Sequence, residues 1–283
     1  MIVFAFPEHQ ALAASLITEQ GIWQWRHFPD GESYVRVCSD VKDRQVAILC
    51  SLNQPDAKTL PMIFLAATLK RLGATKITLI APYLAYMRQD KEFNVGEAVT
   101  SQVFAPLLSH YVDVLVTIDP HLHRYDSLSE VYSCECKTLS AAPLMAEWIK
   151  ANVSKPLIIG PDAESEQWVG QVAAQVGAPH LVLEKTRHSD RDVTINLPQM
   201  SAFKGYSPVL VDDIISTAGT MIKTLSLLHA ESFVEATCLA THALFAGDAY
   251  DALQKAGAGR VVTSNTILHP SNGMDIASLL IKL

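Results

Sequence analysis

The sequence contains no apolar run approaching the ~18 residues that a membrane-crossing helix requires, so no transmembrane segment is expected. Its opening, MIVFAFPEHQ, lacks a basic start and breaks its apolar run at Pro7 and Glu8, which is not the pattern of a secretory signal. Cysteine is scarce: Cys38, Cys50, Cys134, Cys136 and Cys238 make an odd, scattered set of 5. That suits reduced thiols in a cytoplasmic protein rather than a disulfide framework. Cys134 and Cys136 form only a C-x-C with no second pair at zinc spacing, so they read as a loop or strand pair. Positive charge is also short, with 22 Lys+Arg against 29 Asp+Glu and a formal net charge of -7. A general nucleic-acid binder needs a basic face, and this balance argues against one. It leaves a phosphorylated substrate open, because local groups and metal ions outweigh the total.

What is present is globular: 49% hydrophobic and 18% charged residues over 283 positions, enough chain for two domains of ordinary size. Apolar runs at residues 2–6, 45–51, 76–81, 112–118, 156–160, 208–211, 233–240 and 261–264 read as strands buried on both faces. Helical patterns fill 8–20, 56–72, 99–109, 141–151, 164–176, 219–229 and 248–256, and Gly73, Gly177 and Gly257 follow three of them as C-terminal caps. Alternation at this spacing predicts an α/β protein with mainly parallel sheets flanked by helices. Residues 23–28 and 33–38 flank a Pro-Asp-Gly turn and read as a hairpin. A boundary near 133–143 divides the chain into domains 1–140 and 141–283. A faint repeat links KITLIAPYLAYMRQ with PVLVDDIISTAGT, each an apolar strand running into a polar loop.

The second of these loops carries the strongest chemical signal. An apolar strand ends in Asp212 and Asp213, the loop Ser216-Thr217-Ala218-Gly219-Thr220 brings three hydroxyls and a glycine, and a helix follows at once. Hydroxyls and N–H groups at a helix N-terminus hold a phosphate dianion. Gly219 is expected to supply backbone angles, and a closeness of approach, that a Cβ would block. Carboxylates accept hydrogen bonds from two vicinal hydroxyls, and adjacent strand residues face opposite ways, so the two acids divide the work. Taken alone, Asp-Asp is a turn and Ser-Thr an N-cap; the full pattern favours phosphate binding.

This segment resembles the phosphoribosyl-diphosphate (PRPP) motif shared by phosphoribosyltransferases and PRPP synthetases. Five more segments, in matching order, resemble the ribose-phosphate pyrophosphokinases, the PRPP synthetases: Phe28-Pro29-Asp30-Gly31-Glu32, the stretch from Pro82 to Arg88-Gln89-Asp90-Lys91, Asp119-Pro120-His121, Pro161-Asp162, and Glu184-Lys185-Thr186-Arg187. Phe93-Asn94-Val95-Gly96-Glu97-Ala98 and Ser216 look most like the archaeal-type branch. The chain departs from many members at Ser216, where they have Asp, and at residues 163–168, where they are glycine-rich.

The resemblance implies two similar phosphoribosyltransferase-like domains, ATP and ribose 5-phosphate as substrates, and transfer of a diphosphate to give PRPP and AMP for nucleotide biosynthesis. Phe28, Asp30, Gly31 and Glu32 would contact the adenine and ribose of ATP in a neighbouring subunit's site, making the protein a homo-oligomer, a dimer or a hexamer of dimers. Arg88, Gln89, Asp90 and Lys91 would bind the nucleotide. Lys185 and Arg187 would be catalytic, acting on the transferred diphosphate, with Arg187 also near the sugar phosphate. Asp212, Asp213, Ser216, Thr217, Ala218, Gly219 and Thr220 would bind ribose 5-phosphate. His121 and Asp162 would hold Mg2+, the imidazole directly or through water. No nucleic acid and no membrane are implied. Blander readings stand beside these: a hairpin turn at Asp30, a surface ion pair at Arg88, a solvated edge at Lys185 and Arg187. A phosphoribosyltransferase using PRPP, and a non-catalytic nucleotide-binding regulatory homologue, remain the alternatives. Of the 10 histidines only His121 is singled out; His9 and His242 carry no pattern that promotes them.

Overall fold

A strand buried between two helix layers meets water on neither side, so it reads as a continuous apolar run. In the computed structural model such runs become the inner strands of two parallel sheets. The structure describes residues 1–16, 18–187, 193–196, 200–233 and 235–281, excepting the side chains at 164, 167, 184–187 and 193–196. The chain divides into two units, Met1–Leu139 with Ala277–Leu283, and Ser140–Ile276.

The first unit runs β1 (Ile2–Ala5), α1 (Gln10–Ser15), β2 (Glu19–Gln20), β3 (Trp23–His27), β4 (Ser33–Val37), β5 (Gln45–Leu49), α2 (Pro55–Arg71), β6 (Lys76–Ala81), α3 (Thr100–Tyr111), β7 (Val114–Ile118) and β8 (Glu135–Leu139). Its sheet has the order β2-β1-β5-β6-β7-β8, parallel throughout. β3 and β4 form the expected antiparallel hairpin, in register from Trp23↔Val37 to His27↔Ser33. β8, ECKTL, carries no apolar run because it is a largely exposed edge. The helix expected over 8–20 stops at Ser15, where Leu16 turns extended at φ -81 and ψ 131. Beyond it Glu19 and Gln20 pair with Ile2 and Val3. The Gln20 Nε2 donates to the Ala13 carbonyl at 2.8 Å. The open edge of β1 outcompetes the weak helical preference of a polar stretch.

The second unit runs α4 (Ala142–Asn152), β9 (Pro156–Gly160), α5 (Glu166–Val176), β10 (His180–Val182), β11 (Glu184–Arg187), β12 (Val193–Asn196), β13 (Ser207–Ile215), α6 (Gly219–Ala230), β14 (Thr237–Ala243), α7 (Ala249–Lys255), β15 (Arg260–Ser264) and β16 (Asn272–Met274); α8 (Ala277–Leu280) belongs with the first unit. The sheet order is β10-β9-β13-β14-β15-β16, again parallel. β11 and β12 form a separate antiparallel pair. Numbered within its own unit, each sheet therefore has the same order, 2-1-3-4-5-6, and each carries one antiparallel hairpin between its second and third sheet strands. The topology repeats, but not as the sequence paired it: KITLIA is β6, the fourth sheet strand of its unit, whereas PVLVDDII is β13, the third of its own, whose counterpart is β5.

On one face of the second sheet Leu210, Cys238 and Ala240 pack with Met221, Leu225 and Leu228 of α6 and Leu253 of α7. On the other, Val209, Val211 and Leu239 pack with Met145 and Ile149 of α4 and Val169 and Val172 of α5. Leu225, on the core-facing side of α6, is wholly buried. Leu225→Ala should cost about 2–5 kcal/mol, read as a lower urea midpoint at unchanged slope.

Candidate active site

β13 extends past its expected end to Ile215 and carries both acids inside the ladder, with Asp212 beside Ala240. The alternation that puts Leu210 on the α6 face and Val209 and Val211 on the α4 and α5 face does not carry through the acids, which corrects the expectation that they point to opposite faces: the Asp212 and Asp213 side chains hydrogen-bond each other, and Ile215 packs with Leu210. Asp213 is buried, and its N–H donates to the Asp212 Oδ1 at 2.9 Å. Burial, and then the charges of Asp213 and Asp162, hold the Asp212 carboxyl well above the usual range. Asp162 lies on the turn after β9, the strand that pairs with β13. Its carbonyl accepts from the Ser165 N–H at 3.2 Å and the Ser165 Oγ at 2.6 Å. The three carboxyls thus gather where the strand order reverses, the crevice in which open parallel sheets bind ligands.

Beyond Ile215 the chain turns into α6. The left-handed residue is Ala218, φ 60 and ψ 4, and not Gly219, which corrects the expectation from sequence. The nearest atom to a Cβ at Gly219 would be the Thr217 Oγ1 at 3.8 Å, an ordinary contact. Glycine there keeps the helix start bare on the side from which a ligand approaches. No side chain caps α6, so its first N–H groups are available to an anion together with the Ser216, Thr217 and Thr220 hydroxyls.

The first unit has the same crevice, built differently. After its third sheet strand Gln54 is also left-handed, φ 55 and ψ 56, and also starts a helix without a side-chain cap. The first residue of that helix is Pro55, which has no N–H to offer. The crevice is filled by Lys58, whose Nζ lies 2.5 Å from the Glu8 Oε1 and donates to the Ser51 carbonyl at 2.9 Å and the Asn53 Oδ1 at 2.7 Å. The Ser51 N–H donates to the His9 Nε2 at 3.1 Å, and burial lowers the His9 pKa to about 4.

The hairpin tip is exposed. The Phe28 N–H bonds the Glu32 carbonyl at 2.8 Å, Gly31 turns at φ 94, and the Glu32 N–H donates to the Asp30 Oδ1 at 3.2 Å. The Arg26 guanidinium lies 4.7 Å from the Phe28 ring and 4.3 Å from that of Tyr34, stiffening the tip. Arg88 and Lys91 are exposed and Gln89 is half-buried, whereas Asp90 is buried and accepts from the Arg124 Nη1 at 3.0 and 3.2 Å. Asp119 closes β7 at φ 37, an unfavourable angle for a non-glycine, and His121 follows it half-buried, 6.5 Å from the His123 ring. Lys185 and Arg187 stand on β11 opposite Ile195 and Val193, and their side chains lie outside the described residues. A cavity of about 740 Å³ opens at the amino ends of β13, β14 and β15, by Ser207, Thr237 and Arg260, the wrong end of the sheet for this site. Lys58, Arg124 and His242 were invisible in the sequence because only their distant partners reveal them.

A parallel sheet ending in an acid pair and a bare helix start, built on a topology used twice, defines a phosphoribosyltransferase-like protein. A family model for the N-terminal domain of ribose phosphate pyrophosphokinase matches residues 1–111, and one for the phosphoribosyl transferase domain matches 137–272. The ribose-phosphate pyrophosphokinase of Saccharolobus solfataricus is 35% identical over 85% of this chain and 82% of its own. That of Methanosarcina acetivorans is 29% identical over 99% and 98%. The crystal structure of phosphoribosylpyrophosphate synthetase from Mycobacterium smegmatis superposes with a TM-score of 0.86 at 25% identity, covering 99% of this chain and 96% of that one. The chain belongs to the ribose-phosphate pyrophosphokinase family.

The imidazole of His9 must be neutral to accept the Ser51 N–H, and unfolding frees it to take a proton near pH 6.5. Its contribution is complete above that pH and is lost as pH falls toward about 4, up to about 3 kcal/mol. His9→Gln retains an acceptor that does not titrate. Urea unfolding should show a shallower loss of stability between pH 6.5 and 4.5 in this variant; equal slopes would rule the contribution out.

Proposed function

We propose that this enzyme transfers the diphosphate of ATP to the anomeric hydroxyl of ribose 5-phosphate, giving PRPP and AMP for nucleotide biosynthesis. The observation that carries the reading is the uncapped start of α6 directly behind the acid-ended strand β13. The 5′-phosphate sits on the N–H groups from Ala218 to Thr220 with the hydroxyls of Ser216, Thr217 and Thr220, while Asp212 and Asp213 accept from the vicinal ribose hydroxyls. Domain 141–283, less the segment from Ala277 that belongs with the first unit, is the sugar-phosphate half and domain 1–140 the nucleotide half. There Arg88, Gln89 and Lys91 meet ATP, with Asp90 fixing that segment through Arg124. Phe28, Asp30, Gly31 and Glu32 present an exposed tip to the adenine and ribose of ATP in a neighbouring subunit, so the working form is at least a homodimer. The free, scattered cysteines fit a cytoplasmic setting.

In the reaction the anomeric oxygen bonds to the β-phosphorus as the bond to the α-phosphate oxygen breaks, AMP leaves, and the hydroxyl proton is released. The nucleophile is neutral and the electrophile polyanionic, so the protein's work is positioning and charge stabilisation. Lys185 and Arg187 place positive charge on the transferred diphosphate, and Arg187 forks onto its oxygens and those of the sugar phosphate. Asp162 and His121 would hold Mg2+, which favours oxygen and keeps several waters, the carboxylate directly and the imidazole directly or through water. Among the described residues no group of three or more His, Cys, Asp or Glu side chains is placed to hold a metal ion by itself. When bound it neutralises phosphate charge.

Purified protein given ATP, magnesium and ribose 5-phosphate, with no nucleobase, should form AMP and PRPP; ADP would mark an ordinary kinase and sink the reading. Lys185→Ala should lower turnover on the order of 10²–10³-fold while ribose 5-phosphate still binds. Surviving turnover would remove Lys185 from the catalytic role.

A further inference from the structure

The phosphate loop is held from behind by the turn that ends β14. The Phe245 N–H donates to the Ile215 carbonyl at 2.9 Å and the Ala246 N–H to the Ser216 carbonyl at 3.0 Å. Phe245 itself sits at φ 36, a conformation that costs free energy in a bulky residue and persists only where its surroundings over-determine it. Two sets of contacts do so. The Phe245 ring packs 5.1 Å from Tyr250 and 4.5 Å from His269, whose Nδ1 accepts the Ser271 N–H at 3.1 Å. Three residues before Phe245, His242 lies 1% exposed with its Nδ1 2.9 Å from the Thr266 Oγ1.

This second set is a closed cluster of hydroxyls around one carbonyl. The Ser264 Oγ lies 2.6 Å from the Thr241 carbonyl and 3.1 Å from the Thr266 Oγ1, and accepts the Thr266 N–H at 3.3 Å. The Thr266 Oγ1 lies 2.9 Å from the same carbonyl. The His242 Nδ1 and the Thr266 Oγ1 share one hydrogen bond whose direction follows the imidazole tautomer. Thr241, Ser264 and Thr266 are completely buried, and a satisfied buried network of this kind fixes one arrangement of the chain.

We propose that His242 is a positioning residue for ribose 5-phosphate. Through its bond to Thr266 it sets the exit of β14, which sets Phe245 and Ala246, which in turn hold the carbonyls of Ile215 and Ser216 and so aim the phosphate loop. The inference rests on that loop being the sugar-phosphate site. His242 does not touch substrate; its effect reaches the substrate through the turn.

The test measures ribose 5-phosphate binding by calorimetry and the KM of each substrate on the full chain. His242→Leu and Thr266→Val should each raise the ribose 5-phosphate KM roughly tenfold and leave the ATP KM within about twofold, as a small misplacement of binding groups would. His242→Asn keeps a donor near the Nδ1 position and should return the ribose 5-phosphate KM to within about threefold of the parent. An unchanged ribose 5-phosphate KM in His242→Leu, equal rises for both substrates, or an Asn variant no better than Leu would overturn the proposal. Should His242→Leu fold poorly, Thr266→Val removes the same bond with the imidazole in place and decides alone. Asp212→Asn with Asp213→Asn is the control. Binding that is indifferent to the acid pair defeats the assignment of the site, whereas binding that needs the acids but not His242 defeats this inference only.

Discussion

The proposed site depends on one constraint: a dianion and a diol of the same small molecule would have to be held within a few ångströms, and they require opposite partners. Carboxylates suit the diol and repel the phosphate. β13 and α6 resolve this by orientation. The acids stay inside the strand at 212 and 213, the chain turns once through Ala218, and the uncapped helix start with its positive dipole end is what the proposed site would offer the phosphate. On that reading positive side chains are not needed at the loop, and a net charge of -7 does not stand against a phosphate site.

The first unit shows what happens when the same geometry is released from that duty. Its third sheet strand also leads through a left-handed residue into an uncapped helix, at Gln54. Proline at the first helical position removes a donor, and an ammonium with its carboxylate partner fills the crevice that Asp162 and Asp212 border in the second unit. Lys58 near a helix start is unfavourable to the dipole, and Glu8 and two oxygen acceptors offset it. The topology was copied and the chemistry was not.

Legibility in the sequence followed burial and locality. Strands covered on both faces, such as β5 and β7, announce themselves as unbroken apolar runs, and Gly73, Gly177 and Gly257 all take the positive φ expected of caps. The edge strands β2, β8, β10 and β16 are short or half-exposed and gave no periodic signal. The acid pair and its loop were readable because their chemistry needs neighbours in sequence. Arg124 on Asp90, Lys58 on Glu8 and His242 on Thr266 are 34, 50 and 24 positions apart, and no local pattern marks such pairs. The misplaced glycine has the same origin: sequence shows which residue tolerates a left-handed angle, whereas the turn geometry decides which residue must take one.

The two hairpins carry the last step of the argument. Each is inserted at the same point of the shared topology, after the second sheet strand, and among the described residues each is a two-stranded sheet of its own, not paired with the parallel sheet. Freed from the ladder, such a ribbon is not obliged to be apolar, so it is where a parallel α/β fold places groups that must reach beyond their own crevice. The exposed Phe28-to-Glu32 tip and the strand bearing Lys185 and Arg187 both sit on these ribbons. The sheets hold what must stay fixed, the acids and the strand leading to the helix start, and the ribbons bear the residues assigned to the adenine and to the diphosphate, while Arg88, Gln89 and Lys91 lie on the loop after β6. A fold that kept all of these on its buried strands would have to bury unpaired charge, and the cost of that burial is what puts the two kinds of residue on different elements.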